Sequence, residues 1–147
     1  MNYADVTRSL RLRLKSLSDS NSVPMAYWGK RFDPPSGPYY KYTYKWSEPS
    51  NLAFGLGLTS RVNGIFHVNV FSPEENREGA ILDLVDALVT HFWPSGGGGL
   101  WLDRDGLPVT AAGLNVTRIE KSPMVGDDVG HEGWFNIPVK IRFFSNF

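Results

Sequence analysis

The stretch that decides the fold runs from Arg61 to Phe92 and reads RVNGIFHVNVFSPEENREGAILDLVDALVTHF. Its first part alternates with a period of two residues, which predicts a strand. One face of that strand carries Phe66, Val68 and Val70, and the other carries Ile65, His67, Asn69 and Phe71. After Gly79 the apolar positions recur at helical spacing, which predicts an amphipathic helix. Its core stripe comprises Ile81, Leu84, Val85, Leu88 and Phe92.

The junction between this strand and this helix carries a start signal. Ser72 has the character of an N-cap, Pro73 suits the first helical position, and Glu75 lies at the spacing of a capping box. Gly79 offers a second possible start, because glycine weakens the first turn. Pro94 is expected to end the helix.

The other segments predict one more helix and several more strands. The helix spans Asn2 to Leu17 and gives way to a polar loop, Ser18–Ser22; the strands are Met25–Trp28, Tyr39–Trp46, Leu114–Ile119 and Phe135–Phe143; a hairpin joins Leu100–Leu102 to Leu107–Val109. Glu48–Ser60 is interpreted as a long connection, and Pro138 favours an edge position or a bulge. The prediction is a single domain over residues 1–147, of the α+β class, with a mostly antiparallel β-sheet and two α-helices packed on one face.

The strand Tyr39–Trp46 has an aromatic ladder, because Tyr40, Tyr42, Tyr44 and Trp46 share one face. Such a ladder suits either a stacking platform for bases or sugars or the buried face of an antiparallel sheet. The buried face is the preferred interpretation.

Composition excludes several classes of function. The 147 residues carry 15 basic and 15 acidic side chains, so net charge gives no reason to expect broad binding to nucleic acid or anionic membranes. Cysteine is absent, which excludes disulfides and thiolate metal sites. No apolar run approaches the roughly 20 residues needed to span a bilayer, and no signal-peptide block is present. A soluble, intracellular protein without membrane contact is expected.

The residues that could support chemistry do not converge. His67, His91 and His131 fall in a strand, at a helix end and in a polar loop, and His91 suits a helix-dipole partner. The loop residues Asp127, Asp128, His131 and Glu132 match no established metal motif. Gly96–Gly99 lacks the Lys-Ser/Thr of a phosphate-binding loop. We therefore expect no catalytic residues, no cofactor, no metal and no enzymatic activity.

In their order along the chain, five segments resemble the tail terminator proteins of long, non-contractile-tailed bacteriophages, the family that includes lambda's minor tail protein U. These segments are Tyr3–Val6, Phe32–Tyr39, Gly64–Pro73, Ala80–Phe92 and Gly133–Val139. The tract Gly96–Gly99 is richer in glycine than this resemblance leads one to expect.

The resemblance implies a structural virion protein at the head-proximal end of the tail, assembled in the host cytoplasm. It implies a homo-oligomeric ring, of six subunits, that caps the tail tube, stops its polymerisation and joins the tail to head-completion proteins. The implied partners are the tail tube protein and the head-completion or connector proteins. Genomic DNA would pass through the ring lumen without sequence-specific binding.

A subunit of such a ring needs surfaces that become buried only on assembly. Two apolar segments are candidates, because one is broken by glycines and the other follows a glycine tract. The candidate interface residues are Leu52, Phe54, Leu56, Leu58, Arg61, Trp101, Leu102, Asp103, Arg104 and Leu107. Packing of both segments over the subunit's own sheet is the alternative. The glycines further predict that Gly96–Leu107 is mobile in the monomer and becomes ordered at a contact, with Trp101 as an anchor.

Two other functions remain open at this point. One is another tail or connector component, such as a head-completion or tube protein. The other is a small module that binds carbohydrate or nucleic acid through the Tyr40–Trp46 face.

Overall fold

The computed structural model describes residues 2–48, 50–54, 57–94, 99–110, 116–119, 121–130 and 132–146, without the side chains of residues 50–54 and 57–60. These residues form two helices and eight strands. In chain order the elements are α1 (Tyr3–Asn21), β1 (Met25–Ala26), β2 (Tyr39–Trp46), β3 (Ser50–Phe54), β4 (Gly57–Pro73), α2 (Glu78–Phe92), β5 (Leu100–Leu102), β6 (Thr117–Ile119), β7 (Met124–Val125) and β8 (Trp134–Asn146).

All the strands belong to one sheet with the order β1-β2-β4-β8-β6-β5. Every described pairing is antiparallel except that of β1 with β2. Strands β4 and β8 form its spine, with a register that runs from Arg61 opposite Asn146 to Pro73 opposite Trp134. On the other edge of β4, β2 and β3 pair with successive parts of the strand. The predicted α+β class is therefore confirmed.

One face of the sheet and both helices share a single core. The predicted inner positions Phe66, Val68 and Val70 are fully buried, and so is Leu88 of α2. Alternate residues of β8 complete this core, as the period-two pattern predicts. The other principal members are Val6, Leu10 and Leu14 of α1, Ile81, Val85 and Phe92 of α2, and Ile137, Val139, Ile141 and Phe143 of β8.

The first helix is longer than predicted. Its N-terminus has a capping box. Asn2 Oδ1 accepts a hydrogen bond from the Asp5 N–H at 2.9 Å, and Asp5 Oδ2 accepts one from the Asn2 N–H at 3.1 Å. Residues 18–21, predicted as a loop, continue the helix. Ser22 then ends it in the left-handed conformation with φ of 54°. Burial of Leu17 and Ser18 against the core outweighs the low helix propensity of this polar run.

The predicted capping box of α2 is wrong. Ser72 and Pro73 are the last residues of β4 and lie opposite Phe135 and Trp134. The helix instead begins at Glu78, after Arg77, which makes no side-chain capping bond. Pairing with β8 therefore outweighs the local helix signal. The predicted end before Pro94 is confirmed.

Three smaller predictions also change. The predicted connection Glu48–Ser60 contains β3 and the first part of β4, which form a hairpin. Strand β5 pairs with β6, and residues 107–109 contribute a single bridge from Pro108 to Leu102. Pro138 lies inside the sheet, opposite Asn69, and its carbonyl accepts from the Gly126 N–H at 2.8 Å on the other side. The missing N–H of Pro138 therefore faces the side where only the short β7 pairs.

Candidate assembly surfaces

The β3–β4 hairpin extends beyond the body of the sheet. Residues 57–60 of β4 pair with β3, whereas the described pairing of β4 with β8 begins only at Arg61. The backbones of Leu52, Phe54 and Leu58 lie in this hairpin. Their side chains, and all of Leu56, lie outside the described part of the chain. The predicted arm therefore exists as a projecting hairpin, and the contacts of its apolar side chains stay a prediction.

Arg61 lies at the base of the hairpin and is held in place by its own subunit. Its Nε donates to Asn146 Oδ1 at 3.1 Å, and its guanidinium lies 4.2 Å from the ring centre of Phe144. A positioned guanidinium loses less conformational entropy when it binds a partner. Arg61 remains a candidate contact residue on this geometry.

The second predicted surface is a turn that is fixed to α1. Asp103 Oδ1 accepts from the N–H groups of Asp105 and Leu107 at 2.9 and 3.0 Å, which shapes the turn. Two ion pairs then join it to α1: Arg8 with Asp105 at 3.1 Å, and Arg104 with Asp5 at 3.2 Å.

Gly106 sits at the point where this turn meets the helix. Its φ is +76°, and an added Cβ would lie 2.6 Å from the Ser9 carbonyl oxygen and 2.7 Å from the Arg13 nitrogen. Only glycine allows so close an approach with that backbone conformation. The turn therefore packs directly on α1.

One residue of the neighbouring strand β5 was predicted to be a contact residue, and its burial corrects that prediction. Leu102 is fully buried in the subunit's own core, so it is not available to a partner. Trp101 is half-buried, with the Arg118 guanidinium 4.0 Å from its ring centre, and Leu107 is 60% exposed. Because the turn is held without any partner, the contacts of residues 99–107 do not support the predicted mobility. Gly96–Gly98 lie outside the described residues.

The aromatic ladder of β2 faces the core. Tyr40 and Tyr42 are buried, and the Tyr44 hydroxyl donates to the Thr7 carbonyl of α1 at 2.9 Å. Burial raises the pKa of Tyr44 above its ordinary value. Tyr44 is partly buried, and Trp46, at the end of the ladder, is 38% exposed. The preferred interpretation is confirmed, and this face is not available as a stacking platform.

His91 connects the two helices. Its Nε2 lies 2.8 Å from the Arg13 carbonyl oxygen and 2.9 Å from Ser16 Oγ, and Arg13 donates to the His91 carbonyl at 2.7 Å. Burial, and then the nearby Arg13 charge, lower the pKa of His91. The helix-dipole interaction predicted for His91 is therefore made by Arg13, whose guanidinium donates to a backbone carbonyl at the C-terminal end of α2.

The lowered pKa of His91 predicts a pH dependence of stability. In the unfolded chain His91 takes up a proton near pH 6.5, whereas in the folded chain its lowered pKa opposes protonation. The contribution of His91 to the free energy of unfolding is therefore fully present above about pH 6.5 and is lost as the pH falls below that value. Thermal melts between about pH 5 and 8 should show it. His91→Gln, which keeps a side-chain N–H donor, is expected to flatten this slope; an unchanged slope would contradict the assignment.

Asp128, in the loop before β8, makes a structural contact. Asp128 Oδ1 accepts from the Asn136 N–H at 2.9 Å, while His131 lies outside the described residues. Across the described ranges, no three His, Asp or Glu side chains are grouped so as to hold a metal ion. Within the same ranges, neither helix has the length and apolar character to cross a bilayer.

The face of the sheet opposite the helices is basic. The eight strands contain no Asp or Glu, and their cationic residues all point away from the core. We call this surface the basic face. Its cations are Lys41, Lys45, Arg61, Arg118, Lys140 and Arg142.

A family model described as "Phage tail terminator protein" matches residues 5–143. The chain belongs to the phage tail terminator family. This tail terminator is therefore a structural protein of a bacteriophage tail, and the resemblance predicted from its sequence is confirmed. A solved structure that is 18% identical covers 100% of this chain and 97% of its own, with a TM-score of 0.72, which shows a shared fold. No curated protein matches the chain significantly in sequence.

The basic face was not predicted for this tail terminator, because overall neutrality hid it. A signal was nevertheless present in the sequence. Each segment that alternates with a period of two has Lys or Arg at its outward positions and lacks Asp and Glu. Charge counted by strand face, instead of over the whole chain, would have identified this surface.

Proposed function

We propose that this tail terminator forms a ring of six subunits that caps the head-proximal end of the tail tube. The ring stops polymerisation of the tube protein and presents its other side to head-completion proteins. Genomic DNA passes through the lumen without sequence-specific contacts, and the protein catalyses no reaction. Subunits assemble in the host cytoplasm.

The observation that carries this proposal is the β3–β4 hairpin. Its backbone projects past the described end of β8, and its sequence, Leu52-Ala53-Phe54 and Leu58 around two glycines, is apolar. An apolar sequence on a hairpin that extends past the pairing of β4 with β8 is suited to burial against a neighbour. A contact between two different surfaces closes into a ring when its rotation fits.

Phe54→Asp is expected to weaken ring assembly and to leave the subunit folded. A charge at this position opposes burial in an interface, so the concentration needed for assembly should rise at least about tenfold, which corresponds to 1.4 kcal/mol. Solution mass, measured against concentration, reports this change, and negative-stain images with purified tails show whether a ring sits on the tube.

Val129→Asp is the matched control. Val129 is 58% exposed and lies beside Asn136, at the other end of the spine. This variant should assemble as the unaltered protein does. Normal assembly of Phe54→Asp would remove the hairpin from the interface. Open tubes in place of closed rings would instead indicate a tube subunit.

A further inference from the structure

Four cations of the basic face have no acidic partner among the described residues. Among the described residues, Lys41, Lys45, Lys140 and Arg142 form no ion pair, and all four are exposed. The sheet register places them in adjacent rows: Lys45, Ile65 and Arg142 in one, and Thr43, His67 and Lys140 in the next. Like charges this close repel each other, so the face gains from an anionic partner.

Two buried polar atoms on this face also lack hydrogen-bond partners among the described residues. His67 Nε2 and Asn63 Oδ1 are buried and have no hydrogen bond within the described residues. A shallow groove of about 350 Å³ opens beside Asn63, between Arg61, Lys121 and Arg142. Ile65 and Phe144 contribute apolar surface to the same groove. Arginine and aromatic side chains are enriched at protein interfaces.

Exposed acidic side chains lie on the helical layer of the subunit and in the turn that leads to it. The turn after β4 and the outer side of α2 expose Glu74, Glu75, Glu78, Asp83 and Asp86. We call these five residues the acidic face. None of them forms an ion pair with a described residue. Leu82, which is 43% exposed, lies among them.

The two faces cannot meet within one subunit, because α2 packs on the side of the sheet opposite the basic face. Two copies can meet, if the acidic face of one lies against the basic face of the next. We propose that the acidic face of each subunit docks on the basic face of its neighbour, and that this heterologous contact closes the ring. This inference rests on the ring described under the proposed function, and it names the surfaces that form it.

A second copy suits these observations better than nucleic acid does. The basic face has six cations and the acidic face has five carboxylates, so the two faces can largely neutralise each other in a closed ring. The phosphates of duplex DNA would neutralise the basic face, but they would leave the acidic face of every subunit without a cationic partner and would repel it. Complementary charges also fix the register of a contact and exclude wrong pairings.

A charge-exchange experiment tests the contact. One variant carries Lys45→Glu, Lys140→Glu and Arg142→Glu; the other carries Glu75→Lys, Asp83→Lys and Asp86→Lys. All six side chains are exposed, so the fold should be retained, and circular dichroism with thermal melts checks this. Each variant alone is expected to need at least about tenfold more protein to assemble, since like charges then face each other.

Mixed in equal amounts, the two variants should form rings again. The reversed face of each matches the reversed face of the other, and the unaltered faces also match, so the subunits alternate around a ring of even number. Solution mass and chemical cross-linking between the variants detect this alternation. As a control, Lys30→Glu with Arg31→Glu reverses exposed cations away from the basic face and should leave assembly unchanged.

Four results would overturn the inference. If each variant assembles normally while the unaltered protein forms rings, the proposed function stands and the contact is elsewhere. Failure of the mixture to recover rings rejects the pairing of these two faces. If the Lys45/Lys140/Arg142 variant keeps its rings but loses binding to a fluorescent duplex DNA, the basic face serves nucleic acid. An unaltered protein that never forms rings, alone or on tails, removes both proposals.

Discussion

Leu88→Ala is expected to lower the free energy of unfolding by about 2–5 kcal/mol. Leu88 is fully buried between α2 and the sheet, in the cluster that contains Phe66 and Phe92. Removing its branched side chain loses apolar burial and leaves a cavity that close-packed neighbours fill only partly. Urea denaturation of the monomer, followed by circular dichroism, measures the change.

Leu82→Ala on the same helix is the control. Leu82 is 43% exposed, so the same chemical change removes little buried surface. Its effect should stay within about 0.5 kcal/mol, as for most surface substitutions. A loss below about 0.5 kcal/mol for Leu88→Ala would mean that α2 presents a different face to the sheet.

Gly64→Ala is expected to destabilise the protein by about 1–3 kcal/mol or more, although it adds a single methyl group. Gly64 pairs with Trp46 of β2 and Phe143 of β8 in the middle of the sheet. An added Cβ would overlap the Lys45 carbonyl oxygen and lie 3.1 Å from Phe143 Cζ. A backbone atom cannot move aside as a side chain can, so β2 and β4 must shift apart, whereas the Phe143 ring can rotate.

Gly79→Ala should instead raise the free energy of unfolding. Gly79 lies in the first turn of α2, and an added Cβ meets nothing within 4 Å there. Alanine favours the helix by up to about 1 kcal/mol over glycine. Chemical denaturation of the two variants, in parallel, compares the same substitution in a crowded strand and on an open helix. Equal effects would show that the close approach at Gly64 has no energetic weight.

The sequence predicts those parts of the fold whose periodicity is undisturbed. Strand β2 has the predicted limits, and the alternation of β4 and β8 assigns Phe66, Val68, Ile137 and Val139 to the core correctly. The predictions fail where pairing with a residue distant in sequence determines the local structure. Ser72 has a local helix signal but pairs with Phe135, which lies far along the chain. Local patterns contain no information about that pairing.

The candidate surfaces are predicted less completely for the same reason. Alternation shows that Leu102 is apolar, but only the packing of β5 against the core shows that it is buried. The turn Asp103–Gly106 is recognisable in the sequence, whereas its ion pairs with α1 join residues almost a hundred positions apart. Charge segregation across the sheet likewise depends on strand order. Each of these properties belongs to the assembled sheet and not to any one segment.

The central place of β8 also determines when a subunit can fold during synthesis. Although it is the last strand of the described chain, β8 lies between β4 and β6, and it brings together Arg61 and Asn146, which are 85 residues apart. Pairings over such distances form slowly, because chain entropy is lost before the contacts compensate for it. Until residues 134–146 have left the ribosome, β4 has an unpaired edge and the core lacks one wall. A nascent chain therefore cannot complete its core until β8 has been synthesised, and the folded sheet forms in a late step.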